Sequence, residues 1–248
     1  MSIVFQFRLK TVFRLAFLVA STLLATASDS SARMVKRESD AIITSCYVEK
    51  ACALTFNGGP SPNARKIADA LADVGGKGTF FLNGQNYYNI LDKKSKDTVE
   101  YLFNQGHQIA SLTWSHAHLN DGLSEKELLE EFKRIDDAIF DIIKHRPAFM
   151  RPPYKECNAT VQSFAHNFGQ RVVEWDFDVH DFDGMSAENS DKLIDAIPNQ
   201  QRSNILMVMY DVFNSTADTV LPHAIKVLKN DGYNFVTVAE CVGLGPYR

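Results

Sequence analysis

Apolar and polar positions in this chain fall into blocks that alternate between two periods. Residues 51–56 are a continuous apolar run that ends in Asn57-Gly58-Gly59-Pro60, which predicts a buried strand entering a Gly/Pro turn. A helical pattern follows over 62–74 and is stopped by Gly75-Gly76. Residues 78–82 read as a second strand, 97–105 as a helix stopped by Gly106, and 107–111 as a third strand. Ser124-Glu125-Lys126-Glu127 is a capping box, opening a long helix whose Leu128, Phe132, Ile135, Ile139 and Ile142 form one apolar stripe. Strand signals recur at 149–151, 171–175, 205–210 and 234–236, with helices near 160–168, 190–197 and 216–230 between them. Strands alternating with helices predict an α/β protein with a mostly parallel sheet, and about seven strands suit an irregular (β/α) barrel. The run Gly75-Gly76-Lys77-Gly78-Thr79 lacks the spacing of a phosphate loop and precedes a strand, so it reads as a helix stop.

The 248 residues, 45% of them apolar, are enough for one well-buried domain. The first residues stand apart from it. Arg8, Lys10 and Arg14 precede an apolar run from Leu15 to Leu24 and then Ala25-Thr26-Ala27, the layout of a secretory signal peptide over 1–27. That run is too short for a membrane span, and no later segment is long enough. Met34-Val35-Lys36-Arg37 offers a dibasic cleavage site, so 28–37 reads either as a propeptide or as a charged linker, and 38–248 as the single domain. The whole chain carries a formal charge of −4, and without its first 37 residues it is more acidic. Such a domain is a poor partner for nucleic acid or an anionic membrane.

In a secreted chain the four cysteines, Cys46, Cys52, Cys157 and Cys241, suggest disulfides, with three connectivities open. Cys46 precedes the first strand and Cys241 follows the last, so a bridge between them would tie the ends of a closed barrel. Cys52 begins a strand and Cys157 follows a strand end, which puts them at opposite faces and argues against their pairing. Asn158-Ala159-Thr160 and Asn214-Ser215-Thr216 are glycosylation sequons at Asn158 and Asn214.

Thr55-Phe56-Asn57-Gly58-Gly59-Pro60 resembles the first motif of the polysaccharide deacetylases, the NodB-homology or chitin-deacetylase-like family, usually Thr-Phe-Asp-Asp-Gly-Pro. The resemblance covers roughly Cys46 to Leu244 and implies an irregular, seven-stranded (β/α) barrel with a divalent metal such as zinc. It also implies a catalytic base at Asn57 and a metal ligand at Gly58, and neither residue can serve. Gly106 to His116 looks like the second motif, His-x-x-x-His, with Leu112 at the first ligand position and only His116 retained. Arg151-Pro152-Pro153-Tyr154 matches the third motif, in which the arginine holds the catalytic aspartate and the aromatic shapes the groove. Asp178-Val179-His180-Asp181-Phe182 resembles the fourth, with Phe182 for tryptophan, and Asp178 and Asp181 are the expected new partners of Arg151. Leu206 to Asp211 looks like the fifth, with Tyr210 in place of the general-acid histidine. Fungal members share a terminal cysteine pair like Cys46 and Cys241.

Family catalysis needs a metal, a base and an acid. Acid or base loss alone costs about 10²–10⁴ in rate, and a catalytic metal typically needs three protein ligands. The sequence therefore predicts a secreted, catalytically inactive family member with no resident cofactor. It would bind chitin or N-acetylglucosamine oligosaccharides through Asn57, Arg151, Tyr154, Phe182 and Tyr210, and shield or sequester them. Trp114 and Trp175 are expected in the core. Two alternatives stand beside it. One is an active deacetylase with a metal site rearranged around His116, His118, Asp178, His180 or Asp181. The other is an extracellular module that binds a protein through the barrel surface.

Overall fold

A computed structural model describes residues 42–120 and 122–248. The predicted signal peptide and dibasic segment lie outside the described residues. The centre of the fold is β1 (Ala51–Asn57), all of whose residues are buried. It pairs in parallel with β2 (Thr79–Leu82), β7 (Ile205–Tyr210) and, at its start, β8 (Asn234–Phe235). The run shows no polar alternation because both faces of a parallel sheet are covered. Leu54 and Phe56 pack outward with Ile67 and Leu71 of α1 (Ala64–Ala72). Ala51 and Ala53 pack inward with Phe81, Ala110, Leu112, Phe149 and Leu206. A strand alternates faces residue by residue, so the inward series continues to Thr55 and Asn57.

The remaining elements follow in order: α2 (Lys93–Asn104), β3 (Gln108–Ser111), α3 (Glu125–Ile143), β4 (Phe149–Met150), α4 (Ala159–Asn167), β5 (Arg171–Val172), β6 (Phe177–Asp178), α5 (Ala187–Asp195), α6 (Leu221–Asn230) and α7 (Val238–Val242). The strand order is β5-β4-β3-β2-β1-β7-β6, with β8 attached to β1 and every pairing parallel. The two ends of that path, β5 and β6, do not pair with each other. The sheet is thus a curled half-barrel, open on one side rather than closed.

The capping box of α3 forms as predicted: the Ser124 hydroxyl accepts from the Glu127 amide, and the Glu127 carboxylate accepts from the Ser124 amide. Its buried stripe is Leu128, Phe132, Ile135, Ile139 and Ile143, the last in place of the expected Ile142. Burying each such side chain contributes about 1.5–3 kcal/mol. The strand expected at 171–175 leaves the ladder early. Val173 makes a single bridge to Ile43. Asp176 then turns the chain onto β7, its amide donating to the Leu206 carbonyl and its carboxylate accepting from the Leu206 amide, and β6 follows. Helix α6 is preceded by a π-helical turn over Thr216–Val220.

Cys46 and Cys241 form a disulfide with Cα atoms 5.0 Å apart, 195 residues apart in sequence. Cys52 and Cys157 do not pair with each other, as their positions on the chain predicted, and both are free. Burial pushes the Cys157 thiol up to about 11 and raises that of Cys52 further.

Candidate active-site groove

The inward-facing residues at the C-terminal ends of the strands converge on one groove of about 540 Å³. That end is where parallel barrels carry their chemistry. Asn57 ends β1 and Tyr210 ends β7, in register as cross-strand neighbours. Arg151 follows β4 and is fully buried beneath them.

Arg151 organises the floor. Its Nη1 donates to Asn57 Oδ1 at 2.8 Å and to Thr55 Oγ1 at 2.9 Å. Its Nε donates to the Val173 carbonyl and its Nη2 to the Glu174 carbonyl, each at 3.1 Å. Thr55 passes its own proton to the Met207 carbonyl at 2.7 Å. Phe81 lies 4.1 Å beneath the guanidinium carbon and Trp175 5.2 Å away. Every one of these acceptors is uncharged. Burial accordingly pulls the Arg151 guanidinium down to about 10, against the opposing pull of Glu174.

The expected replacement of the lost partner by Asp178 or Asp181 does not occur. Both Asp178 oxygens are taken locally, by the Trp175 indole N–H at 3.1 Å and the His180 amide at 2.8 Å. Asp181 Oδ2 accepts from the Tyr210 amide at 2.9 Å and the Thr216 hydroxyl at 2.6 Å, while its Oδ1 is buried without a partner. Burial raises the Asp181 carboxyl to about 6. Thus Asp181 braces the backbone at Tyr210 instead of neutralising Arg151. The acid nearest in effect to Arg151 is Glu174, whose two oxygens are buried and unpaired and whose carboxyl burial lifts to about 7.

Fixing Asn57 Oδ1 on Arg151 leaves the amide NH₂ on the side away from the guanidinium, where it favours the ionised form of the neighbouring Tyr210 phenol. Burial nonetheless holds the Tyr210 phenol above its ordinary range. The floor of the groove therefore presents hydrogen-bond donors, and no carboxylate stands where the first motif would put a base.

Of the three residues at the metal position, Gly58, Leu112 and His116, only the histidine carries a donor atom. Leu112 is 1% exposed and sits in the inner apolar cluster, where it has no donor atom to offer. Gly58 has φ +93°, and a side chain there would meet Val212 at 3.1 Å and the Tyr87 ring at 3.7 Å. His116 packs edge-on against Tyr154 at 4.9 Å, and burial lowers its pKa. Other groups do not converge to replace the set: His118 is held by Glu156 at 2.7 Å and His180 by Asp183 at 3.0 Å. Among the described residues no three His, Cys, Asp or Glu side chains are grouped as metal ligands. The donors at this position do not fit a catalytic divalent ion.

Exposed aromatic rings frame the groove: Tyr87 is 61% exposed, Tyr154 57% and Phe182 45%. The Tyr154 ring stacks on His118 at 4.0 Å, and Phe182 lies 4.8 Å from Tyr210. Trp114 is in the core, as expected, but Trp175 is half-buried and lines the groove under the Lys155 ammonium, 3.9 Å from its ring. His116, Tyr154, Lys155 and His180 around this rim have positive φ, a conformation that non-glycine residues hold only where the surroundings enforce it. Tyr87 and Lys155 escaped the sequence reading. Tyr87 lies in a polar loop after β2, and its position at a strand's C-terminal end was the available signal. Among the sequons, Asn158 is exposed and caps α4 through its Oδ1, while Asn214 is exposed beside a buried Thr216.

Comparison with known proteins places these observations in a family. Residues 44–173 match the polysaccharide deacetylase family. The chain is 34% identical to a chitin deacetylase of Pestalotiopsis sp over 223 residues, covering 88% of this chain and 72% of that one. It is 27% identical to the chitin deacetylase of Colletotrichum lindemuthianum, covering 94% of this chain and 97% of that one. Of a second chitin deacetylase, from Arthroderma benhamiae, it spans 54% at 31% identity. The solved Colletotrichum lindemuthianum enzyme superposes with a TM-score of 0.78 over 84% of this chain and 96% of that one, at 27% identity. A Bacillus anthracis protein described as a pseudoenzyme of the same fold superposes with a TM-score of 0.70 over 82% of this chain and 69% of that one, at 19% identity, a likeness of fold alone. With its motifs, its curled parallel sheet and these relatives in agreement, the chain belongs to the polysaccharide deacetylase family.

Proposed function

We propose that this protein binds N-acetylglucosamine oligosaccharides of the chitin type in the groove and does not deacetylate them. The observation that carries the proposal is the state of the first motif. The base position is a neutral amide already committed to Arg151, and the ligand position beside it is a glycine whose side-chain space Tyr87 and Val212 fill. A general base must accept a proton, and an amide does not do so near neutrality. Tyr210, with its pKa raised, donates a hydrogen bond but does not shuttle protons at neutral pH. The same features favour binding. Exposed Tyr87, Tyr154 and Phe182 offer flat apolar faces, and Tyr210, which lines the groove above the buried Asn57, offers a donor for the carbonyl oxygen of an acetamido group. With the signal-like segment at 1–27, this reading is of a secreted protein that shields or sequesters wall fragments.

Three measurements on one batch of secreted protein test it: metal content by elemental analysis, acetate release from N-acetylglucosamine oligomers, and calorimetric titration with the tetramer. The expected result is substoichiometric metal, no acetate and saturable binding. Chelator-sensitive acetate release would overturn the inactive assignment, and absence of binding to any oligomer would overturn the ligand.

A further inference from the structure

A second cleft, of about 700 Å³, lies outside the groove, between α1 and the N-terminus of α2. Pro60, Ser61, Arg65, Tyr88, Lys94 and Ser95 are among the residues that form it. Helix α2 starts in a way that is electrostatically unfavourable by itself. Its first residues are Lys93-Lys94-Ser95-Lys96, no acid lies in the first turn, and the N-cap residue Asp92 makes no side-chain cap. The first helical bond runs from the Lys96 amide to the Asp92 carbonyl, so the amides of Lys93, Lys94 and Ser95 have no acceptor. Cations at the positive end of a helix dipole cost stability, and uncapped amides there attract negative charge.

Ser95 supplies an independent sign of a ligand. It is 7% exposed, lines the cleft, and its hydroxyl has no hydrogen-bond partner. Charge in the cleft is balanced unevenly. Lys93 is paired with Asp97 at 2.7 Å, and Arg65 is fixed on the wall by the Asp97 carbonyl at 2.6 Å and by Thr98 at 3.4 Å. Lys94 remains without a partner, against the single opposing carboxylate of Asp92.

We propose that this cleft is a binding site for a tetrahedral oxyanion, phosphate or sulfate, free or as an ester. The Lys94 and Ser95 amides and the Ser95 hydroxyl donate to it, and Lys94 and Arg65 supply the charge. The site is independent of the sugar-binding reading of the groove. The test is an amide NMR titration of the folded domain with inorganic phosphate at constant ionic strength, with chloride as the reference and glucose 6-phosphate as a second arm.

Phosphate is expected to shift the Lys94 and Ser95 amides saturably, and chloride is not. Ser95→Ala and Lys94→Glu are each expected to weaken the interaction about threefold or more. Lys229→Glu, at a lysine that does not line the cleft, serves as the control. Binding of glucose 6-phosphate at least as tightly as inorganic phosphate assigns the site to esters, and weaker binding assigns it to the free ion. Shifts that chloride reproduces, or variants that bind phosphate as the unaltered protein does, would overturn the proposal.

Discussion

Asn57→Asp restores a carboxylate beside a guanidinium that now has only neutral partners. The new oxygen would take the place of Asn57 Oδ1, 2.8 Å from Arg151 Nη1. At that kind of separation the attraction is about 4 kcal/mol for an effective dielectric of ~20. Desolvating the buried carboxylate cancels much of it. What remains is the difference between a charged and a neutral hydrogen bond, about 1–2 kcal/mol. For a domain of this size that raises Tm by about 3–6 °C. The sign with pH follows from linkage. Beside Arg151 the folded carboxyl titrates below the ~3.9 of an unfolded aspartate. The gain is therefore fully present above that value and is lost as pH falls through the folded pKa. Melting curves of the two proteins at pH 7 and pH 3 test this, with the variant more stable at the first and the curves converging at the second. A variant that melts below the parent at pH 7, or a gain unchanged at pH 3, would refute the account of Arg151. Acetate release is expected to stay absent, because Gly58 and Leu112 still supply no metal ligand.

Three further outcomes follow from the same geometry. Burial raises Glu174 and Asp211 to about 7 and Asp181 to about 6, so the folded protein holds extra protons between the ordinary carboxyl pKa and these values. Stability is present at low pH and falls as pH rises from about 4 to about 7; Glu174→Gln is expected to flatten that slope and raise Tm at pH 7.5, read by thermal melts across pH. Gly84→Ala drives a Cβ into the Trp114 ring, which is buried and covered by the Arg134 guanidinium 4.0 Å away, and overpacking of this kind costs about 1–3 kcal/mol, measurable by urea unfolding. Tyr154→Ala removes an exposed ring, so Tm is expected to hold while tetramer affinity falls about tenfold in the calorimeter; equal affinity would remove Tyr154 from the binding face.

Much of this barrel is written in periodicity, because burial on both faces demands long apolar runs. Residues 205–210 were legible to the residue because β7 lies deep in the sheet, and α3 announced its own start through Ser124 and Glu127. The strand expected at 171–175 failed for a tertiary reason: Asp176 binds β7 through its carboxylate, so a two-residue strand on the far edge replaces the end of the run. Local apolar content carries no record of that bond. The motif positions converged because odd residues of β1, even residues of β7 and the residue after β4 share the inner face. The partner of Arg151 did not follow from the motifs. Asp178 and Asp181 are close in sequence to the right strand end, but local amides and Thr216 take their oxygens first. A residue's nearest backbone donors compete with a distant guanidinium, and sequence spacing does not rank the two.

The residues at the motif positions of the groove fit one another physically. A buried guanidinium left facing an apolar residue at position 57 would lose an acceptor at a cost of about 1–3 kcal/mol or more. Asparagine is the neutral isostere of aspartate, and its Oδ1 makes that bond at 2.8 Å. At the ligand position the space of a side chain is taken by Tyr87 and Val212, so removal of the carboxylate leaves neither a void nor an orphaned charge. Leu112 likewise completes an apolar layer in which an unliganded imidazole would be buried. Each substitution satisfies the packing and hydrogen bonding of its neighbours, and the strained rim residues around the groove remain in place. Loss without compensation would have left unpaired groups at these three positions. Their absence is the physical reason for reading the groove as a binding surface, a reading that the titration with N-acetylglucosamine tetramer puts directly at risk.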